Sequence, residues 1–169
     1  NSVSQQYRNY ERLLQAILHH EEHKEPVYNK LVLKSPHHIL KLDDISEVFP
    51  GSVFLWLHRD VTKVVGSCCS MNHAVLDSVY PFYFNLHELG RRTCKRLSEA
   101  VKIGMKQRKL LESTNNNVTF VDIQYTNLKK DPVRTIREAF RNARLECSAE
   151  FEQAIVASVQ ERSDSGNSA

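Results

Sequence analysis

The sequence predicts an α/β fold: a parallel sheet flanked by helices. Short apolar runs alternate along the chain with segments of helical periodicity, the order that parallel sheets require. One run, Val53-Phe-Leu-Trp-Leu-His58, is continuously apolar, as strands covered on both faces are. Another, Val118-Thr-Phe-Val-Asp-Ile-Gln-Tyr125, alternates apolar and polar residues behind the turn-forming Asn115-Asn116-Asn117.

Residues 4–23 read as a first helix, with Tyr7, Tyr10, Leu13 or Leu14, Ile17 and Leu18 at helical spacing and Pro26 beyond its end. Lys30-Leu-Val-Leu-Lys34 reads as a strand. Ser35-Pro36 then opens a second helix that buries Ile39, Leu40, Leu42 and Ile45 and stops at Pro50-Gly51. After strand 53–58, Asp60 caps a helix running through Val64, Val65, Cys68 and Cys69. Residues 75–84 are mixed and aromatic, a loop or short helix. Asn85 and Glu88 stand as in a capping box before a long helix, 86–112, with Leu86, Leu89, Leu97, Val101 and Leu111 on its buried stripe. Strand 118–125 and two helices, 131–143 and 148–161, close the fold. Residues 1–162 are expected to form one domain and residues 163–169 a disordered tail.

The chain has 169 residues, 41% hydrophobic and 25% charged, which fits one ordinary globular domain. A net charge of +3 is too mild to argue for nucleic acid. No run approaches the roughly 20 apolar residues of a membrane helix. The four cysteines include the adjacent pair Cys68-Cys69, which suits neither a zinc spacing nor a disulfide scaffold. Reduced thiols and a cytoplasmic setting are the plainer expectation, with the Golgi lumen as the alternative.

Two apolar runs end in a lone basic residue, Lys34 and Arg59. Ligands of open α/β sheets bind beyond the carboxyl ends of the strands, so Lys34, Arg59 and, on the next helix, Ser67 are expected to converge on a phosphate or sulfate. The helix after Arg59 would add its N-terminal N–H groups. The competing reading of Arg59 is an ion pair with a carboxylate that holds the sheet edge.

These residues resemble a family. Lys34-Ser-Pro-His-His38, Phe49-Pro50-Gly51, His58-Arg-Asp-Val-Thr-Lys-Val-Val-Gly-Ser67 and Asp122-Ile-Gln-Tyr-Thr-Asn-Leu-Lys-Lys-Asp-Pro-Val133 are similar, in order, to motifs of the PAPS-dependent sulfotransferases. The likeness is closest to the branch with Lys-Ser-Pro-x-His and Arg-Asp-Pro-x-x-Val-Val-x-Ser motifs. It implies a P-loop-NTPase-like sulfotransferase fold and transfer of a sulfuryl group from PAPS, as co-substrate and without a metal, to a hydroxyl or amine on a small molecule or glycan. It implies that Arg59 and Ser67 hold the 3′-phosphate of PAPS and that Lys34 touches the sulfuryl group. It places Tyr125 near the nucleotide; a strand-end core residue is the alternative. A histidine in the first motif falls at His38, a candidate general base, with helix capping or packing as the other role.

Two departures stand out. Val61 replaces a usual proline. None of the glycines, at 51, 66, 90, 104 and 166, lies in a phosphate loop, so the first strand, that loop and the final basic-glycine segment are expected to be missing from a partial, inactive chain. The alternative function is a non-catalytic module that keeps the nucleotide or sulfate site; a P-loop kinase relative is a third. His19-His-Glu-Glu-His23 matches a zinc pattern in letters, but a solvated helix end accounts for it. The basic residues of the long helix read as a solvated face, or as a dock for an acidic glycan or peptide.

Overall fold

A computed structural model of the chain describes residues 3–21, 30–79, 85–114 and 117–166. Seven α-helices and two parallel strands follow one another among these residues. In chain order they are α1 (Val3–Glu21), a 3-10 turn (His38–Leu40), α2 (Leu42–Val48), β1 (Val53–His58), α3 (Val61–Val79), α4 (Leu86–Ser113), β2 (Thr119–Gln124), α5 (Tyr125–Lys130), α6 (Pro132–Asn142) and α7 (Ala149–Gly166). The class is α/β, as the alternation of patterns predicts.

Where composition argues for one domain, two compact units form: residues 1–52 with 69–118, and residues 53–68 with 119–169. The chain crosses between the units three times, at 52/53, 68/69 and 118/119, and the middle crossing falls inside α3, where no linker marks it in the sequence.

The first unit holds α1, α2, the second half of α3, and α4. Leu42 and Ile45 of α2 and Leu111 of α4 are buried. Gln107 of α4 ties these helices together. Its amide nitrogen donates to the Leu40 carbonyl and to Asp43 Oδ1 at 2.7 Å, while its oxygen accepts from the Leu42 N–H at 3.2 Å. The last bond satisfies a free donor at the start of α2. Buried Thr93 accepts from Asn72 Nδ2 at 3.3 Å, linking α3 to α4.

Asn85 caps α4 as expected, its side chain accepting from the N–H groups of His87 and Glu88. Glu88 does not reach back to the cap in a capping box. Its carboxylate takes Arg91 and Arg92 at 2.8 and 2.6 Å, and those two guanidiniums hold its pKa down to about 2. Because the Asn85 side chain satisfies two donors, Asn85→Ala is expected to cost about 1 kcal/mol of stability and Asn85→Asp nearly nothing. Urea unfolding of the three proteins measures this, and equal stability of wild type and Asn85→Ala would remove the cap from the account.

The second unit is built on β1 and β2, paired in parallel with Val53 opposite Thr119 and His58 opposite Gln124. On one face Val121 and Ile123 pack against Ala139 and Ala143 of the α6 end, with Val53, Leu128 and Leu145 around them. On the other, Phe54 stacks on Phe120 with ring centroids 4.9 Å apart, and His58 Nε2 meets Asp122 Oδ1 at 2.7 Å. Asp131 caps α6 by accepting from the Arg134 N–H, and Pro132 fills its first turn, where a missing N–H costs nothing. Arg144 ends that helix in the left-handed region, φ 55°, letting the Leu145 N–H return to the Phe140 carbonyl. Arg137 then forks onto Glu152 of α7 at 2.6 and 2.7 Å.

Four expectations are corrected. Lys30–Lys34 is not a strand: no described strand pairs with it, and Val32 is 87% exposed. Strand-like sequence makes a strand only where a neighbour completes the ladder. β1 is not covered on both faces, since Leu55 and Leu57 are each 49% exposed. Tyr125 opens α5 rather than ending the strand. Finally, α7 continues through Gly166, so residues 163–166 of the expected disordered tail are helical, because extending a formed helix costs far less than starting one. Residues 167–169, like 80–84 of the aromatic segment and His23 of the zinc-like pattern, lie outside the described residues.

Candidate functional site

The parallel register dictates the site. With His58 opposite Gln124, the next residues along both strands, Arg59 and Tyr125, emerge side by side at the carboxyl end of the sheet. The Arg59 guanidinium lies over the Tyr125 ring, 4.7 Å from its centroid. That contact attracts the cation to the ring face while leaving the N–H fork directed along the guanidinium plane. No described carboxylate pairs with Arg59, so the sheet-edge ion pair open in the sequence is not what forms.

Around this pair lies a cleft of about 670 Å³ lined by His58, Arg59, Asp60, Lys63, Gln124, Tyr125, Thr126, Lys129 and Lys130. Three elements supply its charge. Lys63 comes from the first turn of α3. Lys129 and Lys130 come from the last turn of α5, a helix end that favours cations. Four cations thus face one carboxylate, Asp60, and the cleft is suited to a polyanion.

Asp60 changes the expected role of the α3 N-terminus. Its carboxylate accepts from the Thr62 hydroxyl and from the Lys63 N–H, and these two bonds hold its pKa below the ordinary carboxylate range. The helix end is therefore already capped by a negative charge. Ser67 lies one turn beyond Lys63 on the same face of α3, exposed but outside the cleft lining.

Lys34 and His38 belong to the other unit. Lys34 is exposed in the extended segment before the 3-10 turn. His38 is half-buried in that turn, its ring 6.1 Å from that of Tyr7 at 55°. Ser35 shapes the turn: its carbonyl accepts from the His38 N–H and its hydroxyl from the His37 N–H, both at 3.2 Å. A second cavity, of about 490 Å³, is lined by Gln6, Tyr7, Tyr10, Ser35, His37, His38, Leu40 and Lys41. Sequence reasoning singled out Lys34, His38, Arg59, Ser67 and Tyr125. It missed Lys63, Lys129 and Lys130 as site residues, although the last two follow Tyr125 within one short motif.

Burial, and after it the neighbouring His37, push the His38 pKa below the 6.5 of an ordinary imidazole. The sign for stability follows. Above pH 6.5 the ring is neutral in both folded and unfolded chains and contributes nothing. As pH falls through 6.5 the unfolded chain takes the proton first, so stability is lost. NMR titration of the His38 ring should give a midpoint below 6.5, and His38→Gln should remove part of the stability loss between pH 7 and pH 5.5. A midpoint at or above 6.5 would contradict the burial argument.

The sequence matches the model of the sulfotransferase family over residues 3–149. This chain belongs to the sulfotransferase family. Comparison with curated proteins and with solved structures gave no match. The family match spans both units and every residue of the two cavities, so each cavity belongs to the sulfotransferase region. It also agrees with the class seen in the fold, a parallel sheet with helices between and beside its strands. No helix among the described residues is long and apolar enough to cross a membrane.

Proposed function

We propose that the chain takes part in sulfuryl transfer from PAPS to a hydroxyl or amine acceptor. The observation that carries this is the Arg59 guanidinium held over Tyr125 in a cleft with Lys63, Lys129 and Lys130, inside a region that matches the sulfotransferase family. PAPS presents a 3′-phosphate and a 5′-phosphosulfate, and the cleft offers it four cations. In this reading Arg59 and Ser67 anchor the 3′-phosphate, and Tyr125 sets the plane of the guanidinium.

The chemistry is an in-line displacement governed by positioning and charge. The acceptor oxygen forms a bond to sulfur and the bond from sulfur to the bridging oxygen breaks. The electron pair stays on the departing 3′-phosphoadenosine 5′-phosphate. Lys34 is assigned to the charge that develops on that bridging oxygen. His38 is assigned to take the acceptor's proton, a role for which its preference for the neutral form prepares it. The four cysteines are free thiols, which favours a cytoplasmic setting in this reading.

The test is a thermal-shift titration with 3′-phosphoadenosine 5′-phosphate. The melting temperature should rise with nucleotide concentration, by the mass action of a ligand that binds the folded state. Adenosine without phosphates should give no rise. A protein whose melting temperature ignores the bisphosphate would defeat the proposal.

A further inference from the structure

His58 lines the Arg59 cleft but has no part in the reading above. Strand alternation explains where its ring goes. Residues 54, 56 and 58 of β1 share one face of the sheet with 120, 122 and 124 of β2, the register that stacks Phe54 on Phe120. His58 closes this row at the carboxyl end of β1, and its Nε2 lies 2.7 Å from Asp122 Oδ1. The two side chains are 42% and 45% exposed, so the pair stays in touch with solvent and its protons. Of the two, only His58 lines the cleft.

We propose that His58, oriented by Asp122, is a fifth anion-binding group of the cleft, and that it acts only when its ring carries two protons. The nucleotide as natural ligand rests on the sulfuryl-transfer reading; the binding of an anion does not. The proton inventory decides the role. An ionised carboxylate only accepts hydrogen bonds, so the neutral ring places its single N–H at Nε2, toward Asp122. Nδ1 then holds a lone pair, which repels a phosphate or sulfate oxygen. A second proton turns Nδ1 into a donor and takes the His58–Asp122 pair from one negative charge to none. The cleft gains a cation without any change of fold.

The other charged and titratable groups of the cleft hold steady while His58 changes. Arg59 follows it in the chain, Lys63 stands on α3, and Tyr125, Lys129 and Lys130 stand on α5. Side chains of these types do not ordinarily titrate between about pH 5.5 and about pH 8, whereas histidine does. The Thr62 hydroxyl and the Lys63 N–H keep Asp60 ionised. The pH response of the cleft in that window therefore comes down to His58. A ring that gains its charge in acid makes anion affinity rise as pH falls.

The experiment titrates the full chain with sodium sulfate, which keeps its charge across this window, at about pH 8 and about pH 5.5. Isotope-edited NMR follows the nitrogens of the His58 ring and of the Arg59 side chain. At the higher pH the His58 ring should carry its proton on Nε2. At the lower pH sulfate should bind about fivefold more tightly, as one added charge in an open site allows, and should shift Nδ1. His58→Gln keeps an N–H for Asp122 but takes no proton, so its two affinities should agree within about twofold. The comparison is repeated with 3′-phosphoadenosine 5′-phosphate. Its phosphates titrate in the same window, and the ratio of wild type to His58→Gln at each pH cancels that titration. A neutral ring protonated on Nδ1, a wild-type sulfate affinity that does not rise in acid, or a rise that His58→Gln retains would overturn the inference. The first two are read on the wild type and stand even where His58→Gln does not fold. Acid-dependent sulfate binding without any nucleotide response would fail the sulfuryl-transfer reading only; a nucleotide response with sulfate affinity indifferent to pH would fail this inference only.

Discussion

Replacing Arg59 with alanine is expected to weaken the binding of 3′-phosphoadenosine 5′-phosphate about 100-fold. A charge-assisted hydrogen bond is worth about 1.5–3 kcal/mol, and a guanidinium can offer a phosphate two at once. Exposure of Arg59 tempers this, because solvent and salt screen an open site. About 2.7 kcal/mol, or two decades, lies near the top of the range for one such bond and below that for two. Arg59→Lys keeps the charge but loses the planar fork and its stacking on Tyr125, so it should cost about tenfold. Tyr125→Ala removes only the support for the guanidinium and should cost about threefold, since an exposed cation–π contact is worth about 0.5–1 kcal/mol. Lys102→Ala, on the exposed face of α4, should change nothing. Calorimetric titration at two salt concentrations separates the cases, with the losses smaller at high salt. If Arg59→Ala and Lys102→Ala bind the nucleotide alike, Arg59 is not its anchor.

That prediction joins a residue the sequence reveals to a contact it does not. Arg59 is legible because the apolar run stops at His58 and a cap follows at Asp60. Its place over Tyr125 depends on the register between strands 66 residues apart, with His58 opposite Gln124, and no local pattern encodes it. Lys129 and Lys130 were hidden for a related reason. Read as a strand end, Tyr125 gives no hint that a six-residue helix follows and carries both lysines to the cleft. Lys30–Lys34 shows the opposite failure. Its composition is that of a strand, but β structure is a property of pairs, and Leu31 and Val32 remain exposed without one. His38 was visible as a candidate base. The tyrosines that share its cavity were not, because Tyr7 and Tyr10 fit the apolar stripe of α1 equally well as packing residues.

The largest expected loss of stability lies on α4, and it discriminates between two readings of that helix. Leu86, Leu89, Leu97, Val101 and Leu111 fit a helical period in the sequence. The face that packs instead runs through Thr93, Leu97, Ala100, Gly104, Gln107 and Leu111, of which Thr93, Gly104 and Leu111 are buried. Small and polar residues hold positions that a search for large apolar ones passes over. Gly104 is buried there, and Gln107 bonds across to α2. Leu111 is 3% exposed, so Leu111→Ala should cost about 2–5 kcal/mol, the lost transfer energy plus the cavity left behind. Its neighbour Leu110 is 58% exposed, and Leu110→Ala should stay within about 0.5 kcal/mol of wild type. Val101 belongs to the sequence-based stripe but is 45% exposed, so Val101→Ala should cost less than about 1 kcal/mol. Urea unfolding followed by helical circular dichroism measures all three. A Val101→Ala loss that rivals Leu111→Ala would mean that α4 packs on the face its leucines and valine describe, and that Gln107 does not face α2.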